Sequence, residues 1–466
     1  MKISLYRSLP EPLQKAARAA YGVLPFQIRM GRTYRETKRF LQSSQNWTRE
    51  SIEAWQWNKL KAIVEHAYEN VSGYRQLYAE QGVAPRDIRN WNDFKRLPFV
   101  TKEQLRDNLE DFTASNISRS NRLYRTTGGS TGIPFGFYLT QENIERELAF
   151  LNSAWERVGW IPGSLSAVLR GGFIGSEKEL FDYDPFLREL KLSTYQLTEK
   201  TYSLYKEQIL RDLPSSLQAY PSAATILGDM VIAKEDVRRV SFELLLLGSE
   251  NLYDWQKERL RLAFPRAKLF AWYGHAEQVL FAPMCESSQR FHLDPFYGVA
   301  EILNQERNEV NEGESGELVG TALWNYAVPF IRYQTMDVAT KGASACAECR
   351  RNFQLLERID GRLQELILSS RGRYISMTQI NMHSPVFDNV HQFQFHQRTA
   401  GEVTFNIVRS PHYSEKDSEN IRRELSKKLG EDIKLQLAFV DQIPRAQNGK
   451  FRFLIQELPL KYGDRN

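Results

Sequence analysis

The stretch RTTGGSTGIPFGF, residues 125–137, concentrates glycines and hydroxyl side chains in one short loop. Glycine has no Cβ atom, so backbone N–H groups in such a loop can approach an anion closely. The groups that could surround an anion belong to Thr126, Thr127, Gly128, Gly129, Ser130, Thr131 and Gly132. The loop lacks the Lys–Ser/Thr ending of a Walker phosphate loop. Alone it predicts either a plain turn or an anion-binding loop, and the rest of the chain must distinguish the two.

The chain has 466 residues, which is too long for one small hydrophobic core and indicates two or three domains. Apolar residues make up 42% and charged residues 26%, the usual balance of a globular protein. No apolar run approaches the ~20 residues of a membrane-spanning helix, and the first residues show no secretory signal. A net charge of +5 is modest for this length and does not indicate nucleic-acid binding. We expect a cytoplasmic protein without a nucleic-acid partner.

The first 39 residues are basic, with nine Lys or Arg against two acidic residues, interleaved with apolar side chains. One interpretation is a helical segment that docks on the protein through its apolar stripe. The other is peripheral contact with an anionic membrane surface or with another enzyme. The composition leaves both interpretations open.

Hydrophobic periodicity predicts an α/β fold with a largely parallel sheet. Helical patterns fill residues 51–110, where Thr101 and Gln104 form a capping-box pattern. One helix is expected to place these side chains near one face: Ile52, Trp55, Leu60, Ile63, Val64 and Tyr68. From residue 141 onward, helical patterns alternate with the short apolar runs SAVLRGGF, SFELLLLGSE and KLFAWYG.

The pattern changes at Phe291. The runs GVAEILN, GELVGTALWN and PFIRYQT predict strands joined by short turns, and hence a smaller β region. Residues 363–466 combine the strand-like VTFNIV and IKLQLAFV with the helical EKDSENIRRELSKKLG. That content predicts a small α+β domain at the end of the chain.

Four residues downstream of the loop offer partners for a nucleotide. Glu277 follows the strand-like KLFAWYG, and a carboxylate beside a phosphate loop is what a Mg²⁺ site requires. Asp337, in RYQTMDVA, could accept hydrogen bonds from ribose hydroxyls. Arg362 lies in a glycine turn, and Lys450 follows an Asn–Gly turn near the C-terminus. Taken singly, each also fits an exposed turn residue.

The cysteines form a separate pattern. Cys346 and Cys349 make a Cys-x-x-Cys motif, and His292 lies seven residues after Cys285. Three cysteines and one histidine match a closed tetrahedral zinc site with no position left for water. We expect a structural Zn²⁺ here; the alternative is a set of buried thiols without metal.

The order of these motifs resembles that of the adenylate-forming superfamily, which includes acyl-CoA synthetases, peptide-synthetase adenylation domains and luciferases. That family has a phosphate loop, a Tyr-Gly-x-Thr-Glu motif, a Tyr-Arg-Thr-Gly-Asp motif, a Gly-Arg-x-Asp hinge and a C-terminal Gly-Lys. The matching segments, in the same order, are Thr127–Pro134, Tyr273–Glu277, Arg332–Asp337, Gly361–Gln364 and Asn448–Lys450. The segments LQAYPSA, GSENL and IPRAQNGKFRF are most similar to the phenylacetate–CoA ligase branch, especially its CapK-type members associated with surface polysaccharide synthesis.

The resemblance implies a large N-terminal domain of layered α/β sheets plus a small β region over residues 1–361, whose first 110 residues are a mainly helical lead-in. A small mobile α+β domain, residues 362–466, would carry the catalytic Lys450. The implied activity is that of an ATP-dependent, AMP-forming ligase. A carboxylate attacks the α-phosphate of ATP, pyrophosphate leaves, and the acyl group passes to coenzyme A, a carrier-protein thiol or an amine.

The resemblance also implies a role for each motif. The loop from Thr127 to Thr131 would hold the β- and γ-phosphates, with Thr131 also in a catalytic role, and Glu277 would ligate Mg²⁺. Asp337 would bind the ribose, Arg362 the ribose or a phosphate, and Lys450 the reacting oxygens. The residues implied in the adenine pocket are Gly248, Ser249, Glu250, Tyr273 and Gly274.

The sequence gives less information about the pocket for the acid substrate than about the nucleotide-binding motifs. Its candidate residues are Arg170, Tyr220, His275 and Ala276. Arg170 stands at a predicted strand end, where it meets either a charged substrate or a nearby carboxylate of the protein. The acid itself is not predicted.

Four positions depart from the family pattern: Ile133, Ala276, Met336 and Gln364. Gln364 replaces the usual hinge aspartate, which puts the standard hinge motion in doubt. Three functions therefore stay open: a ligase that decorates a cell-surface polysaccharide, with contact to its assembly complex; an aryl-acid, phenylacetate-like CoA ligase; and a nucleotide-binding scaffold that has lost catalysis.

Overall fold

The computed structural model describes residues 10, 12–13, 16, 20, 22–126, 135–170, 179–194, 196–362, 365–372, 374–380, 385–444, 451–458 and 460. The glycine-rich loop from Thr127 to Pro134, with Ile133, lies outside the described residues. Gln364 and Lys450 lie outside them as well. The predictions for these positions therefore stay predictions.

The N-terminal part is helical, as the sequence predicts. Its helices are α1 (Phe26–Arg29), α2 (Gly31–Ser44), α3 (Arg49–Asn70), α4 (Ser72–Glu80), α5 (Trp91–Phe94) and α6 (Lys102–Asp107). Thr101 caps α6: its hydroxyl accepts from the Gln104 amide, and the Gln104 side chain accepts from the Thr101 amide. Helix α2 buries Tyr34, Thr37 and Leu41 and leaves Arg32 and Arg39 exposed. In this segment the docked-helix interpretation of the basic N-terminus holds.

One position on helix α3 was wrongly predicted. Ile52, Leu60, Ile63 and Val64 are buried, but the Tyr68 side chain is 36% exposed. Ala67 takes the buried place, because it lies seven residues after Leu60 and four after Ile63 on the same helical stripe.

A seven-stranded sheet forms the centre of the molecule. Its strands are β3 (Ser166–Leu169), β4 (Phe181–Asp184), β5 (Glu189–Leu192), β6 (Ser216–Ala219), β7 (Leu244–Gly248), β8 (Lys268–Gly274) and β9 (Phe281–Pro283). The spatial order is β4-β5-β3-β6-β7-β8-β9, with parallel pairing from β5 to β8 and an antiparallel strand at each edge. The largely parallel sheet is confirmed. Its covering helices include α7 (Gln141–Arg157), α8 (Tyr202–Asp212), α9 (Pro221–Ala233) and α10 (Asp254–Ala263).

The β region after Phe291 is a five-stranded antiparallel sheet. It contains β10 (Phe291–His292), β11 (Gly298–Leu303), β12 (Ser315–Ala322), β13 (Tyr333–Lys341) and β14 (Leu355–Arg362), in the order β10-β14-β13-β12-β11. The sequence run PFIRYQT predicts a strand that begins at Pro329. In the structure, strand β13 begins at Tyr333. Arg332 has a φ of 46°. A left-handed residue disturbs the regular ladder, and Met336, with the same backbone conformation inside β13, coincides with a register shift against β12.

A third sheet lies in the C-terminal part. Strands β17 (Val390–Thr399), β18 (Glu402–Arg409), β19 (Lys434–Phe439) and β20 (Leu454–Gln456) pack with helix α12 (Glu415–Leu429). Shorter elements precede them: β15 (Leu366–Leu368), β16 (Tyr374–Ser376) and α11 (Met377–Ile380). A hairpin of β1 (Leu123–Thr126) and β2 (Gly136–Leu139) flanks the glycine-rich loop. Within the described ranges, no helix is both long and apolar enough to cross a membrane.

Candidate functional site

A cleft of about 920 Å³ lies where the parallel sheet, the antiparallel sheet and the C-terminal segment meet. Strands β7 and β8 deliver Ser249 and Gly274 at their carboxyl ends, the edge where open α/β sheets bind ligands. Strands β13 and β14 bring Asp337 and Arg362, which face each other in the ladder. Nine of the predicted site residues thus line one cleft, although they come from four separate parts of the sequence: Ser249, Glu250, Tyr273, Gly274, His275, Ala276, Glu277, Asp337 and Arg362.

Asp337 is the centre of a buried polar cluster. The Tyr273 hydroxyl donates to Asp337 Oδ2 at 2.7 Å, and His275 Nε2 lies 3.2 Å from the same oxygen. Arg362 Nε lies 3.4 Å from Asp337 Oδ1. Burial alone would raise the pKa of Asp337, but the hydrogen bond from His275 and the charge of Arg362 outweigh burial and lower it. Asp337 is thus an ionised acceptor held in one orientation.

Met336, which replaces the family's glycine before Asp337, has a φ of 63°. This is the left-handed region that glycine occupies without strain. Ser249, on the opposite side of the cleft, has a φ of 67°. The departure at Met336 therefore preserves the backbone conformation that a glycine would have there.

Glu277 is buried, with 8% of its surface exposed, and its Oε1 accepts from the Tyr333 hydroxyl at 3.4 Å. Two cations lie close enough to interact with it electrostatically, Lys102 and Arg362. Burial lowers the pKa of Lys102, and the charge of Glu277 opposes that shift. Lys102 Nζ also lies 5.9 Å from the ring centroid of Phe135, the first described residue after the glycine-rich loop.

Sequence reasoning missed Lys102. The capping box at Thr101 predicts the start of its helix, but nothing in the local pattern indicates that the first helical side chain faces Glu277. The absence of a lysine at Ile133 is the one signal that could have prompted a search for a cation elsewhere.

Glu250 joins two parts of the chain. It accepts from the backbone amide and the hydroxyl of Ser222, both at 3.0 Å, at the N-terminus of helix α9. A carboxylate is stabilised there by the helix dipole. Glu250 Oε1 also accepts from the Phe451 amide at 3.3 Å, and Phe451 is the residue after Lys450.

The four predicted acid-pocket residues are near the cleft, but they do not all line it. His275 and Ala276 line the cleft. Arg170 and Tyr220 follow β3 and β6, next to each other at the same sheet edge, and the Tyr220 amide donates to the Leu169 carbonyl at 3.3 Å.

A buried carboxylate that sequence reasoning missed lies near His275. Glu147, on helix α7, accepts a hydrogen bond from the Tyr297 hydroxyl. Burial raises the pKa of Glu147 to about 7, while the Tyr297 hydrogen bond and the charge of His275 oppose the rise. The helical pattern around Glu147 predicts only an amphipathic helix, so the sequence offers no signal for this residue.

Cys285, His292, Cys346 and Cys349 come together at the far end of the antiparallel sheet. Their ligand atoms all lie within 4.8 Å of one another, with 3.9 Å between Cys285 Sγ and Cys346 Sγ and 3.6 Å between Cys349 Sγ and His292 Nε2. Tetrahedral zinc with bonds of about 2.0–2.3 Å needs ligand separations of about 3.5–3.8 Å. Burial lowers the pKa of His292 to about 4, so the ring is neutral, as a metal ligand must be. These residues fit zinc.

Comparisons with known proteins agree with this architecture. Residues 367–457 match the family profile of the CapK C-terminal domain. The chain is 24% identical to phenylacetate-coenzyme A ligase of Thermus thermophilus, over 87% of this chain and 96% of that protein. It is 23% identical to protein CapK of Staphylococcus aureus, over 86% and 88%. A crystal structure of 2-hydroxyisobutyryl-CoA ligase in the postadenylation state shares the fold, with a TM-score of 0.72, 18% identity, and coverage of 89% of this chain and 91% of that chain.

Proposed function

Since the chain belongs to the phenylacetate–CoA-ligase-like branch of the adenylate-forming superfamily and is an AMP-forming acid ligase, we propose that its cleft forms an acyl-adenylate from ATP and a carboxylic acid. A carboxylate oxygen attacks the α-phosphorus, the bond to the bridging oxygen of pyrophosphate breaks, and a thiol or amine later displaces AMP. The observation that carries this proposal is the convergence of Tyr273, Glu277, Asp337 and Arg362 on one cleft.

Asp337 is suited to hold the ribose. Its carboxylate is ionised and oriented by Tyr273 and Arg362, so it can accept hydrogen bonds from two vicinal hydroxyls without reorganising. Tyr273 would lie against the adenine, with Gly248, Ser249, Glu250 and Gly274 around it. Pre-oriented groups of this kind lower the entropy cost of placing the α-phosphate for attack.

Charge stabilisation would come from Lys102, Arg362 and Lys450, with the glycine-rich loop around the β- and γ-phosphates. Lys102 and Arg362 flank Glu277, so a triphosphate in the cleft would meet two cations and one carboxylate. Glu277 would hold Mg²⁺, which neutralises phosphate oxygens and supports pyrophosphate as a leaving group. Lys102 would supply the charge that Ile133 lacks.

ATP–pyrophosphate exchange across a panel of aryl, fatty, amino and uronic acids tests this proposal. Exchange with at least one acid is expected, and Glu277→Gln should reduce it by about 100-fold because the metal carboxylate is lost. The exposed Glu199→Gln variant is the matched control and should retain full exchange. Measurable ATP binding without exchange for any acid would favour the catalytically degenerate scaffold instead.

The second half-reaction has two candidate settings. Relatives named phenylacetate-coenzyme A ligase support an aryl acid and coenzyme A. The resemblance to CapK-type proteins is the ground for the other candidate, transfer to an amine acceptor in surface polysaccharide synthesis. Both candidate reactions proceed through the same acyl-adenylate. Adding coenzyme A or an amino sugar after adenylation therefore distinguishes transfer to a thiol from transfer to an amine. An acyl-CoA product would favour the first setting, and an amide would favour the second.

The cluster of three cysteines and one histidine would hold a structural Zn²⁺. All four ligand positions belong to the protein, which leaves no place for a reacting water. Two buried arginines, Arg157 and Arg351, interact electrostatically with this cluster. Three thiolates around one divalent ion give the site a net charge of −1. The positive charge of the two arginines would offset that negative charge.

A further inference from the structure

Four neighbouring parallel strands bring one row of side chains to the carboxyl edge of the central sheet. Leu169 pairs with Ala219, Ala219 with Leu247, and Leu247 with Ala271. The row one residue further along is Arg170, Tyr220, Gly248 and Trp272. Since these four positions share a register, their side chains leave the same face of the sheet.

Gly248 leaves a gap in this row that the Trp272 ring occupies. A Cβ atom at Gly248 would lie 2.6 Å from Trp272 Cε2, closer than side-chain atoms pack. The ring therefore extends over strand β7 toward Arg170, whose Cζ lies 4.7 Å from the ring centroid. Helix α7 closes the other side of the ring with Trp155, whose centroid is 5.5 Å away.

Unlike Arg332 and Arg351, Arg170 has no carboxylate within hydrogen-bonding distance among the described residues. Arg332 forms two hydrogen bonds with Glu301, at 3.0 and 2.8 Å, and Arg351 lies 2.8 Å from Glu286. In the part of the chain that the structure describes, Nε and Nη2 of Arg170 are shielded from solvent and have no hydrogen-bond partner. Burial lowers the pKa of Arg170. The charge of Glu189 acts on Arg170, but within the described residues Glu189 forms no hydrogen bond or ion pair with it. The shielded guanidinium is therefore costly unless a ligand supplies a directly bonded carboxylate.

Trp272 connects Arg170 to the cleft. Trp272 lines the cleft together with Gly274 and Glu277, and its ring contacts the guanidinium of Arg170. A planar guanidinium with free donors matches a carboxylate in two-point geometry. We propose that Arg170 binds a second carboxylate of the acid substrate, so that the enzyme activates one carboxyl group of a dicarboxylic acid. This inference rests on the proposed ligase function.

The experiment compares acids that differ only in a second carboxylate. ATP–pyrophosphate exchange is measured with phenylacetate and its 3- and 4-carboxy derivatives, and with pentanoate and glutarate. The kcat/KM of at least one diacid should exceed that of its monoacid by about 30-fold. The reason is that an ion pair between Arg170 and the second carboxylate, shielded from water, strongly favours the diacid. Arg170→Met should reduce that preference to within about threefold, because the loss falls mainly on the diacid, and Arg170→Lys should retain part of the preference.

Two further measurements separate the possible failures. The surface variant Arg259→Met, which breaks an ion pair with Asp229, is the matched control and should keep the diacid preference. Thermal stabilisation by each acid reports binding without catalysis, and diacids should stabilise the wild type but not Arg170→Met. Exchange without any diacid preference would overturn the role of Arg170 alone. If no exchange is detected but diacids stabilise the protein in a way that requires Arg170, the ligase function is contradicted and the role of Arg170 stands. If neither exchange nor diacid stabilisation is detected, the ligase function and the role of Arg170 are both contradicted.

Discussion

Two residues at the cleft have a backbone conformation that the surrounding fold must stabilise. Met336 and Ser249 both have left-handed backbone, at φ values of 63° and 67°. Non-glycine residues adopt this region at a cost of about 1 kcal/mol or more and persist there only when their surroundings hold them. Both flank residues of the proposed nucleotide site, Asp337 and Glu250. These two strained positions thus lie where the ligand would bind, while other left-handed residues, such as Leu213 and Glu235, do not line the cleft.

Glu147 should make the stability of the fold depend on pH. Its folded-state pKa of about 7 lies above the ordinary value for glutamate, so the folded state favours the protonated carboxyl. That contribution is complete at low pH and is lost as the pH rises through about 7. Relative to Glu147→Gln, the wild type should lose about 1–2 kcal/mol of unfolding free energy between about pH 5 and pH 8.

Urea denaturation of both proteins across that range measures this effect. The exposed Glu199→Gln variant is the control and should follow the wild type at every pH. A constant difference between Glu147→Gln and the wild type would show that Glu147 does not titrate in this window.

At the scale of elements, the close approach of β7 and β8 depends on Gly248. Gly248→Ala should destabilise the protein by about 1–3 kcal/mol, because the new methyl group would overlap Trp272. Gly274→Ala is the matched control on the neighbouring strand: its nearest contact would be an ordinary 3.6 Å, so stability should change little. Thermal unfolding of both variants measures the difference, and equal midpoints would contradict the packing argument.

The proposed zinc site connects elements that are distant in sequence. Cys285 follows β9, His292 ends β10, and Cys346 and Cys349 lie between β13 and β14. Removing zinc with a chelator should lower the unfolding midpoint by about 5 °C or more, because the metal fixes these segments to one another. Metal analysis should find one zinc per chain in the wild type.

Two variants test the ligand assignment. Cys346→Ser should lose the zinc. Ser288→Ala, which removes a neighbouring hydroxyl 3.9 Å from Cys346 Sγ, should keep it. A wild-type protein without zinc, and with a midpoint that chelator does not change, would establish the alternative of metal-free thiols.

At the scale of the whole molecule, the C-terminal part reaches the cleft through its last segment. Phe451 donates to Glu250, and Phe453 packs against Tyr253 and Trp255 with centroid distances of 5.4 and 5.8 Å. The chain next to Lys450 thus lies at the cleft. A lysine on a separate domain can act in adenylate formation and leave for the second step.

Lys450→Ala should reduce ATP–pyrophosphate exchange by about 100-fold or more, because it removes charge stabilisation of the reacting oxygens. The unfolding midpoint should not change, and transfer from a preformed acyl-adenylate should remain. Lys434→Ala, at an exposed ion pair with Glu402, is the control. Unchanged exchange in Lys450→Ala would remove this residue from the mechanism.

Local patterns in the sequence predict the elements well. The alternation of apolar runs with amphipathic segments identifies β3, β7, β8, α7 and α10. Burial of one face of a sheet or helix imposes a regular spacing of apolar residues, and this spacing can be recognised within a short stretch of sequence. The prediction fails where a local exception intervenes. Tyr68 falls just outside its helix stripe. Strand β13 starts only after Arg332, whose backbone is left-handed and whose side chain pairs with Glu301.

The sequence by itself determined the family, the order of the motifs and the residue types of the proposed nucleotide site, because these depend on local chemistry along the chain. Only the tertiary structure decided which charges meet. It pairs Asp337 with Arg362, sets Lys102 near Glu277, and leaves Arg170 stacked on Trp272 with two unpaired donors in the described chain. Strand register and helix docking produce these contacts between distant residues, and no short window of sequence contains that information.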